Sequence, residues 1–376
     1  MLDEHYTKGE IFNQPELWEK TYKKFLQEAS SLKDFLSKVL SKKRLDIVLT
    51  GAGTSAFIGD VLEGPFQKEF KKTTKAIATT DLVTNPELYF NVNKPLLLVS
   101  FARSGNSPES SKAIELAEMF CNEVYHLVVT CNNESRLINS LKSTNYYLFV
   151  LPEENNDKGL AMTASFTSML LTGFLVSKYE RAEKLHAEIK RLSEYGNNIL
   201  HNYSGKLKKV SELKFERAVF LGSGAIKGIA RESHLKLQEL TDGKIICKHD
   251  SFLGFRHGPK ALVNNKTLIV YLFSNNRYVN KYEYDLVKAI NKGRKPAYTI
   301  GVMENKMNGL GLSLQIILSG DGKQLCENFL PVAFILPAQL IGFYKSLNLG
   351  YNPDSPSVDG MISRVVEGVN LYEYEK

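Results

Sequence analysis

The segment LVSFARSGNSPESSKA, from Leu98 to Ala113, decides the fold. It begins with an apolar run, passes through a short loop of small polar residues, and continues after Pro108 into residues with helical spacing. Proline fits the first position of a helix and Ser107 fits the capping position before it, so the segment predicts a strand, a tight loop and a helix. A strand that leads directly into a helix is the unit from which sheets flanked by helices are built.

Further apolar runs in the first half have the composition of strands that are buried on both faces. They are DIVLT, PLLLVS, VYHLVVT and YYLFVLP. Amphipathic segments of helical length separate them. This alternation predicts an α/β fold, in which a doubly wound parallel sheet has helices on both faces in the manner of a flavodoxin-like three-layer sandwich.

The pattern occurs twice along the chain. RLDIVLTGAGTSAFIG, from Arg44, resembles FERAVFLGSGAIKGIA, from Phe215, and this pairing sets Gly51 and Gly222 171 positions apart. The runs KPLLLV, from Lys94, and KTLIVY, from Lys266, have nearly the same offset. A constant offset indicates a duplicated domain. The predicted organisation is an N-terminal helical segment at 1–43, a first domain at 44–190, a second at 205–350 and a C-terminal tail at 351–376.

Composition narrows the function classes. The chain has 376 residues, a net charge of +7 and scattered basic residues, such as those at 68–75, which read as a solvated helix face rather than a nucleic-acid site. The four cysteines form no C-x-x-C pair and the histidines show no metal-ligand spacing, so we expect no metal site. The start lacks signal-peptide features, and FLPVAFILPAQLIGF reads as a buried helix or strand, too short to span a membrane; we expect a cytoplasmic protein.

Two loops that follow predicted strands carry hydroxyl groups at the start of helices. One contains Thr54 and Ser55, and the other contains Ser104, Gly105 and Ser107. Helix N-termini attract anions, so the pair of loops suits a phosphate group, although each hydroxyl could also serve only as a helix cap. GAGTSA also satisfies the dinucleotide pattern G-x-G-x-x-A. That pattern requires an acidic residue about 20 positions later, but the sequence in that region is basic.

Candidate catalytic groups lie in the second half. Glu232, Lys236 and Glu239 share one face of a helix predicted from Ile226 to Thr241, where a salt-bridged exposed stripe is the alternative reading. His257 follows in the segment HDSFLGFRHGPKAL, which reads as an irregular loop and in which a histidine could simply be solvated. A carboxylate and an imidazole near a phosphate site would suit the conversion of an aldose into a ketose. Because a side chain carries the proton in this chemistry, we expect no cofactor.

Five motifs in this order resemble the tandem SIS (sugar isomerase) domain family: GAGTSAF, SFARSGNSPES, LAMTASFT, ESHLKLQEL and GFRHGPKAL. The residues within these motifs are most similar to those of the tagatose-6-phosphate ketose/aldose isomerase group, which includes galactosamine-6-phosphate deaminase/isomerases. The resemblance implies two tandem SIS domains and an enzyme that turns a hexosamine 6-phosphate into a ketose 6-phosphate and ammonia. Plain isomerisation without deamination and a non-catalytic sugar-phosphate sensor are the alternatives.

The resemblance also implies roles for the matching positions. Glu239 would carry the proton between C2 and C1, Lys236 would orient or polarise the substrate, and His257, which the family usually takes from a neighbouring subunit, would open the sugar ring. The implied partners are a sugar phosphate and a second copy of the chain, in a homodimer or higher homo-oligomer with shared sites, without nucleic acid or membrane. Substrate binding would fall to Thr54, Ser55, Arg103, Ser104, Gly105, Ser107, Met162 and Arg364.

Two of these positions depart from the pattern of the related synthase. Met162 stands where the synthase has a serine that contacts the sugar, and Arg103 replaces a glutamine. Arg364 is the best match to a lysine that covers the sugar. The start of the chain also lacks a nucleophilic cysteine for a glutaminase domain, so the sequence disfavours amino-sugar synthesis and leaves ammonia release or simple isomerisation.

Overall fold

The computed structural model describes residues 5–366 and 368–375. The first four residues of the predicted N-terminal segment, together with Glu367 and Lys376 of the predicted tail, lie outside the described residues. The strands are β1 Asp46–Thr50, β2 Thr73–Ala76, β3 Leu96–Ala102, β4 Val124–Thr130, β5 Tyr146–Val150, β6 Arg217–Leu221, β7 Ile246–Asp250, β8 Thr267–Leu272, β9 Tyr298–Met303 and β10 Leu314–Ile317.

Helices precede, separate and follow these strands. They are α1 Tyr6–Phe12, α2 Gln14–Gln27, α3 Ala29–Leu40, α4 Thr54–Phe70, α5 Thr79–Thr84, α6 Pro86–Tyr89, α7 Pro108–Phe120, α8 Arg136–Asn139, α9 Ala164–Ser177, α10 His186–Asn198, α11 Ser204–Ser211, α12 Ala225–Leu240, α13 Phe252–Phe255, α14 Arg277–Asn291, α15 Leu330–Phe334 and α16 Leu336–Asn348. Short 3-10 turns occupy Glu153–Asn155, Tyr179–Leu185, Pro259–Leu262 and Glu327–Phe329, and a π-helical turn occupies Ile199–Tyr203.

The first sheet is parallel throughout and has the strand order β2-β1-β3-β4-β5. The central strands β3 and β4 are buried along their whole length, as their apolar sequences predict. Strand order reverses between β1 and β3, which pair directly and in register, with Thr50 opposite Ser100. In sheets of this type ligands bind beyond the carboxyl ends of the strands at such a reversal, so the topology points to the loops after β1 and β3.

The second sheet has the order β10-β9-β8-β6-β7, which is the same arrangement read from the other edge. The turn after the first strand is also repeated: Gly53 has φ 56° and ψ −127°, and Gly224 has φ 55° and ψ −131°. This left-handed backbone favours glycine in both copies. The predicted duplication and the predicted α/β fold with two parallel sheets flanked by helices are therefore confirmed.

Two edge strands were not predicted from the sequence. β2 and β7 are short and partly exposed, so they lack the apolar runs that mark the central strands. The prediction of a solvated helix face at residues 68–75 is therefore wrong for the residues after α4. Lys71 ends the helix with a left-handed φ of 53°, and Lys75 belongs to β2. The segment read as a loop from His249 likewise begins inside β7.

The chain forms two compact units. The unit that holds the first sheet, called the first unit, comprises Leu17–Asp157, Ala164–Leu185 and Ile362–Lys376. The second unit, with the second sheet, comprises Met1–Glu16, Lys158–Thr163 and His186–Met361. This division differs from the predicted boundaries, since most of the N-terminal helical segment belongs to the first unit. There the indole of Trp18 is fully buried and donates to the hydroxyl of Thr167 on α9 at 2.9 Å.

One helical stretch among the described residues, Glu327–Asn348, is long and apolar enough to cross a membrane, with a mean hydropathy of 1.4. The sequence analysis predicted a segment too short to span a membrane. The helical stretch is longer because it joins the 3-10 turn at 327–329, α15 and α16. Of its most apolar 18-residue window, 94% is buried within the protein. Of the two alternatives predicted for this position, a buried helix or a packed strand, the structure shows the buried helix.

Candidate active site

The loop after β1 contains a turn that only glycine fits. A Cβ atom on Gly51 would lie 2.6 Å from the carbonyl carbon of Ser55, and Gly53 has the left-handed backbone described above. The turn places Thr54 and Ser55 on the first residues of α4, where their side chains are 5% and 4% exposed. Their hydroxyls thus lie at a helix N-terminus, where an anion is stabilised.

The loop after β3, residues 103–107, lies beside that turn because β1 and β3 are neighbours. Gly105 has φ 62°, and a Cβ atom there would come within 2.5 Å of the Cβ of Ser135. Ser107 occupies the predicted N-cap position of α7, but its side chain makes no capping hydrogen bond. The predicted capping bond is therefore absent, and within the described part of the chain the Ser107 hydroxyl remains available to a ligand.

Residues after β4 hold this loop in place, and the sequence analysis did not identify them. Asn132 Nδ2 donates to the Ser104 carbonyl at 3.1 Å, and the Leu137 N–H donates to the Gly105 carbonyl at 3.0 Å. Asn106 Oδ1 accepts from the Arg136 N–H at 3.1 Å. The consecutive asparagines that follow VYHLVVT are the sequence signal that could have marked the third loop.

Arg103 and Arg364 contact each other, but through a backbone group. Arg103 is 5% exposed and its Nη2 donates to the Arg364 carbonyl at 2.6 Å. The guanidinium of Arg364 donates to Asn156 Oδ1 and to the Asp157 carbonyl, both at 2.9 Å. In this arrangement Arg364 fastens the C-terminal tail to the first unit beside the loop at 103–107.

On the second unit, α12 brings three of the candidate groups together. Lys236 Nζ lies 3.3 Å from Glu232 Oε1 and 2.6 Å from Glu239 Oε2. The side chains of Glu232 and Lys236 are 0% and 1% exposed, and that of Glu239 is 23% exposed. The three residues, called the α12 triad, do share one face as predicted, but the alternative of an exposed stripe is wrong because this face is buried.

The electrostatics of the α12 triad keep the lysine charged. Burial opposes the charge, but the carboxylates of Glu232 and Glu239 outweigh it and raise the pKa of Lys236 above its ordinary value. Lys236 is therefore suited to orient a carboxylate or polarise a ligand rather than to act as a base. Glu232, which the sequence analysis assigned no site role, is the second carboxylate that contacts Lys236 and favours its charged form.

His257 lies in a turn between α13 and the 3-10 turn at 259–262, and its side chain is exposed. Its backbone N–H donates to the Gly254 carbonyl at 3.0 Å. The Ser251 hydroxyl accepts from the Gly254 N–H at 2.9 Å and starts α13, so local hydrogen bonds fix this turn. Among the residues that the structure describes, the imidazole has no side-chain hydrogen bond.

The candidate residues thus divide between the units. The hydroxyl-bearing loops, Arg103 and Arg364 belong to the first unit, whereas Lys236, Glu239 and His257 belong to the second. Met162, partly buried, lies in the short segment Lys158–Thr163 that is part of the second unit. Among the described residues, no group of three or more His, Cys, Asp or Glu side chains is placed to hold a metal ion.

Comparison with known proteins matches the family model for the SIS domain to residues 39–176. The D-galactosamine-6-phosphate deaminase AgaS of Shewanella sp. (strain ANA-3) is 38% identical over 99% of this chain and 92% of its own length. AgaS of Escherichia coli O157:H7, also named a D-galactosamine-6-phosphate deaminase, is 37% identical over 98% and 96%.

A solved structure supports the same relationship. Tagatose-6-phosphate ketose/aldose isomerase from Escherichia coli superposes with a TM-score of 0.89 and is 35% identical, and the match covers 100% of this chain and 98% of that one. The resemblance drawn from the five motifs is confirmed. The chain therefore belongs to the SIS domain family, in the same group of enzymes as these relatives.

Proposed function

We propose that this enzyme converts galactosamine 6-phosphate and water into tagatose 6-phosphate and ammonia. The observation that carries the proposal is the α12 triad, in which a buried lysine holds the carboxylate of Glu239 while that carboxylate stays partly exposed. A positioned carboxylate of this kind suits proton transfer at a carbon next to a carbonyl group. The substrate follows from the names of the relatives that match along the whole chain.

The proposed chemistry balances without a cofactor. The sugar ring opens to an aldehyde that carries an amino group on C2, and Glu239 removes the proton from C2 to give an enolamine. Glu239 then delivers a proton to C1, which leaves a ketimine at C2. Water hydrolyses the ketimine to the ketose and ammonia. The carbonyl group is the substrate's own, and the proton carrier is a side chain.

We assign binding of the phosphate group to the first unit, with the hydroxyls of Thr54, Ser55, Ser104 and Ser107 as hydrogen-bond donors. Two helix N-termini at a reversal of strand order support this assignment. Met162 and Arg103, which depart from the synthase pattern, are assigned to sugar preference.

We further propose that His257 serves the site of a second copy of the chain, which makes a homodimer the smallest active unit. Its exposure and the absence of a side-chain partner in the described residues support this role. Mixing Glu239→Gln and His257→Ala chains should restore part of the activity in hybrid dimers. Confirmed hybrids without restored activity would show that each chain uses its own histidine.

The free thiols of all four cysteines support a reducing compartment, and we propose a cytoplasmic location. Plain isomerisation is the second candidate, because the Escherichia coli structure is named a ketose/aldose isomerase. The deciding assay incubates the protein with galactosamine 6-phosphate, glucosamine 6-phosphate and tagatose 6-phosphate and measures ammonia and ketose together. Equal release of ammonia and ketose from galactosamine 6-phosphate is expected, whereas interconversion of tagatose 6-phosphate without ammonia would favour the isomerase.

A further inference from the structure

The duplication gives the second unit its own copy of the two loops at the strand-order reversal. β6 and β8 pair in the same register as β1 and β3, with Leu221 opposite Tyr271. The turn at 222–224 follows β6 and the loop at 273–276 follows β8. The second unit therefore has a counterpart of the site to which we assign the phosphate group.

The residues at this counterpart do not offer the same groups. Where α4 begins with Thr54 and Ser55, α12 begins with Ala225 and Ile226. The two hydroxyls at the helix N-terminus are thus replaced by apolar side chains. One serine, Ser223, lies within the turn instead.

The helix after the second loop is capped by the protein itself. Asn276 Oδ1 accepts from the N–H groups of Tyr278 and Val279 at 2.9 and 3.4 Å. The Ser274 hydroxyl accepts from the Asn276 N–H at 3.0 Å. At the matching N-terminus of α7, by contrast, the Ser107 side chain makes no such bond. The first unit has an equivalent of the Ser274 bond, since the Ser104 hydroxyl accepts from the Asn106 N–H at 3.2 Å. The two units therefore differ at the helix N-terminus itself, where a side chain caps α14 and, among the residues described, none caps α7.

A carboxyl group completes this internal bonding. Glu283, on α14, is 0% exposed, and the Ser274 N–H donates to its two oxygens at 3.4 and 3.2 Å. Asn280 Nδ2 donates to Oε2 at 3.0 Å. Burial raises the pKa of Glu283 to about 7, although hydrogen bonds from Asn280, Ser223 and Ser274 act in the opposite direction. The carboxyl group of Glu283 therefore accepts directly from the loop that follows β8, through the Ser274 N–H.

We propose that the Glu283 side chain occupies the second unit's counterpart of the phosphate site, so that each chain keeps one sugar-phosphate site, on the first unit. The inference rests on the proposed function for the assignment of phosphate to the first unit. The occupant of the second copy is a carboxyl group of the protein, and its two oxygens accept from the loop N–H of Ser274 and from the amide of Asn280.

Calorimetric titration of the full chain with galactosamine 6-phosphate tests the number of sites, with Glu239→Gln present to prevent turnover. We expect one equivalent of the sugar phosphate to bind per chain. This binding should be lost in the double variant Ser104→Ala/Ser107→Ala and retained in Glu283→Gln. A second equivalent that survives Ser104→Ala/Ser107→Ala would overturn the inference. No binding at all would overturn the proposed function, and the next experiment then decides about Glu283 alone.

Chemical rescue tests whether the carboxyl group fills a ligand-like position. The melting temperature of Glu283→Ala should be about 2–4 °C higher in sodium acetate than in sodium chloride at equal ionic strength. The reason is that acetate can enter the space that the glutamate side chain has left. Wild type and Glu283→Gln, in which the space stays filled, should show no difference between the salts. Equal acetate effects in all three proteins would overturn the inference; Glu283→Ser, with a smaller cavity, replaces Glu283→Ala if the latter does not fold.

Discussion

Replacing Glu283 by glutamine should remove a pH dependence of stability from the second unit. Burial raises the pKa of Glu283 from 4.5 to about 7, and the neighbouring carboxylate of Glu327 adds to this effect, while Asn280, Ser223 and Ser274 oppose it. The folded state therefore holds a proton that the unfolded state has already lost between about pH 4.5 and 7. Over that window the stabilisation present at low pH is lost as the pH rises.

The magnitude follows from the two pKa values. A difference of about 2.5 between the folded and unfolded states corresponds to roughly 3 kcal/mol of unfolding free energy. Glutamine has similar size, keeps an acceptor for the Ser274 N–H and has no ionisable group. We therefore expect the unfolding free energy of Glu283→Gln, relative to wild type, to rise by about 3 kcal/mol between pH 4.5 and 8.

Urea denaturation followed by far-UV circular dichroism is the suitable assay, since guanidinium would screen the charges. The only tryptophan, Trp18, belongs to the first unit, so its fluorescence serves as an internal reference for the other half of the chain. Glu194→Gln, at an exposed position on α10, is the matched control. A constant difference between Glu283→Gln and wild type across this pH range would refute the reasoning.

Three further predictions concern the proposed active site and the tail. Ser107→Ala should raise KM for the sugar phosphate by about tenfold or more, the value of a hydrogen bond to a charged group, whereas the exposed Ser41→Ala should leave KM unchanged. Lys236→Met should lower the unfolding free energy by about 3–5 kcal/mol, because two carboxylates lose their cation, and Lys236→Arg should recover part of it; wild-type stability of Lys236→Met in a thermal melt would contradict this. Tyr374→Ala removes an edge contact with the Phe120 ring at 5.0 Å and should make the C-terminal tail more sensitive to limited proteolysis; an unchanged cleavage rate would show that the tail is held elsewhere.

The parts of the fold that the sequence predicted are those with strong apolar patterns. VYHLVVT was expected as a strand and forms β4 over those seven residues, and the helix expected at Pro108 begins at that residue. The repeated Gly51 and Gly222 turns were visible because their geometry excludes other residues. Central strands and glycine turns are determined by local sequence, so they can be read from it.

The rest depends on contacts between distant residues. The exposure of the α12 triad could not be read from its spacing, because a salt-bridged helix face has the same pattern whether it is buried or solvated. The Ser107 hydroxyl fitted a cap but makes no capping bond, and Arg364 fastens the tail by hydrogen bonds to residues 156–157. The proposed role of Glu283 could be inferred only from the structure, because it depends on how the strands of the second sheet pair.

The most direct measurement for the central claim is the turnover of Glu239→Gln on galactosamine 6-phosphate, with ammonia and ketose recorded together and substrate affinity determined on the same preparation. If Glu239 carries the proton between C2 and C1, kcat should fall by about 10²–10⁴ while the dissociation constant changes little. Turnover within a few-fold of wild type at unchanged affinity would remove Glu239 from this role and contradict the proposed mechanism.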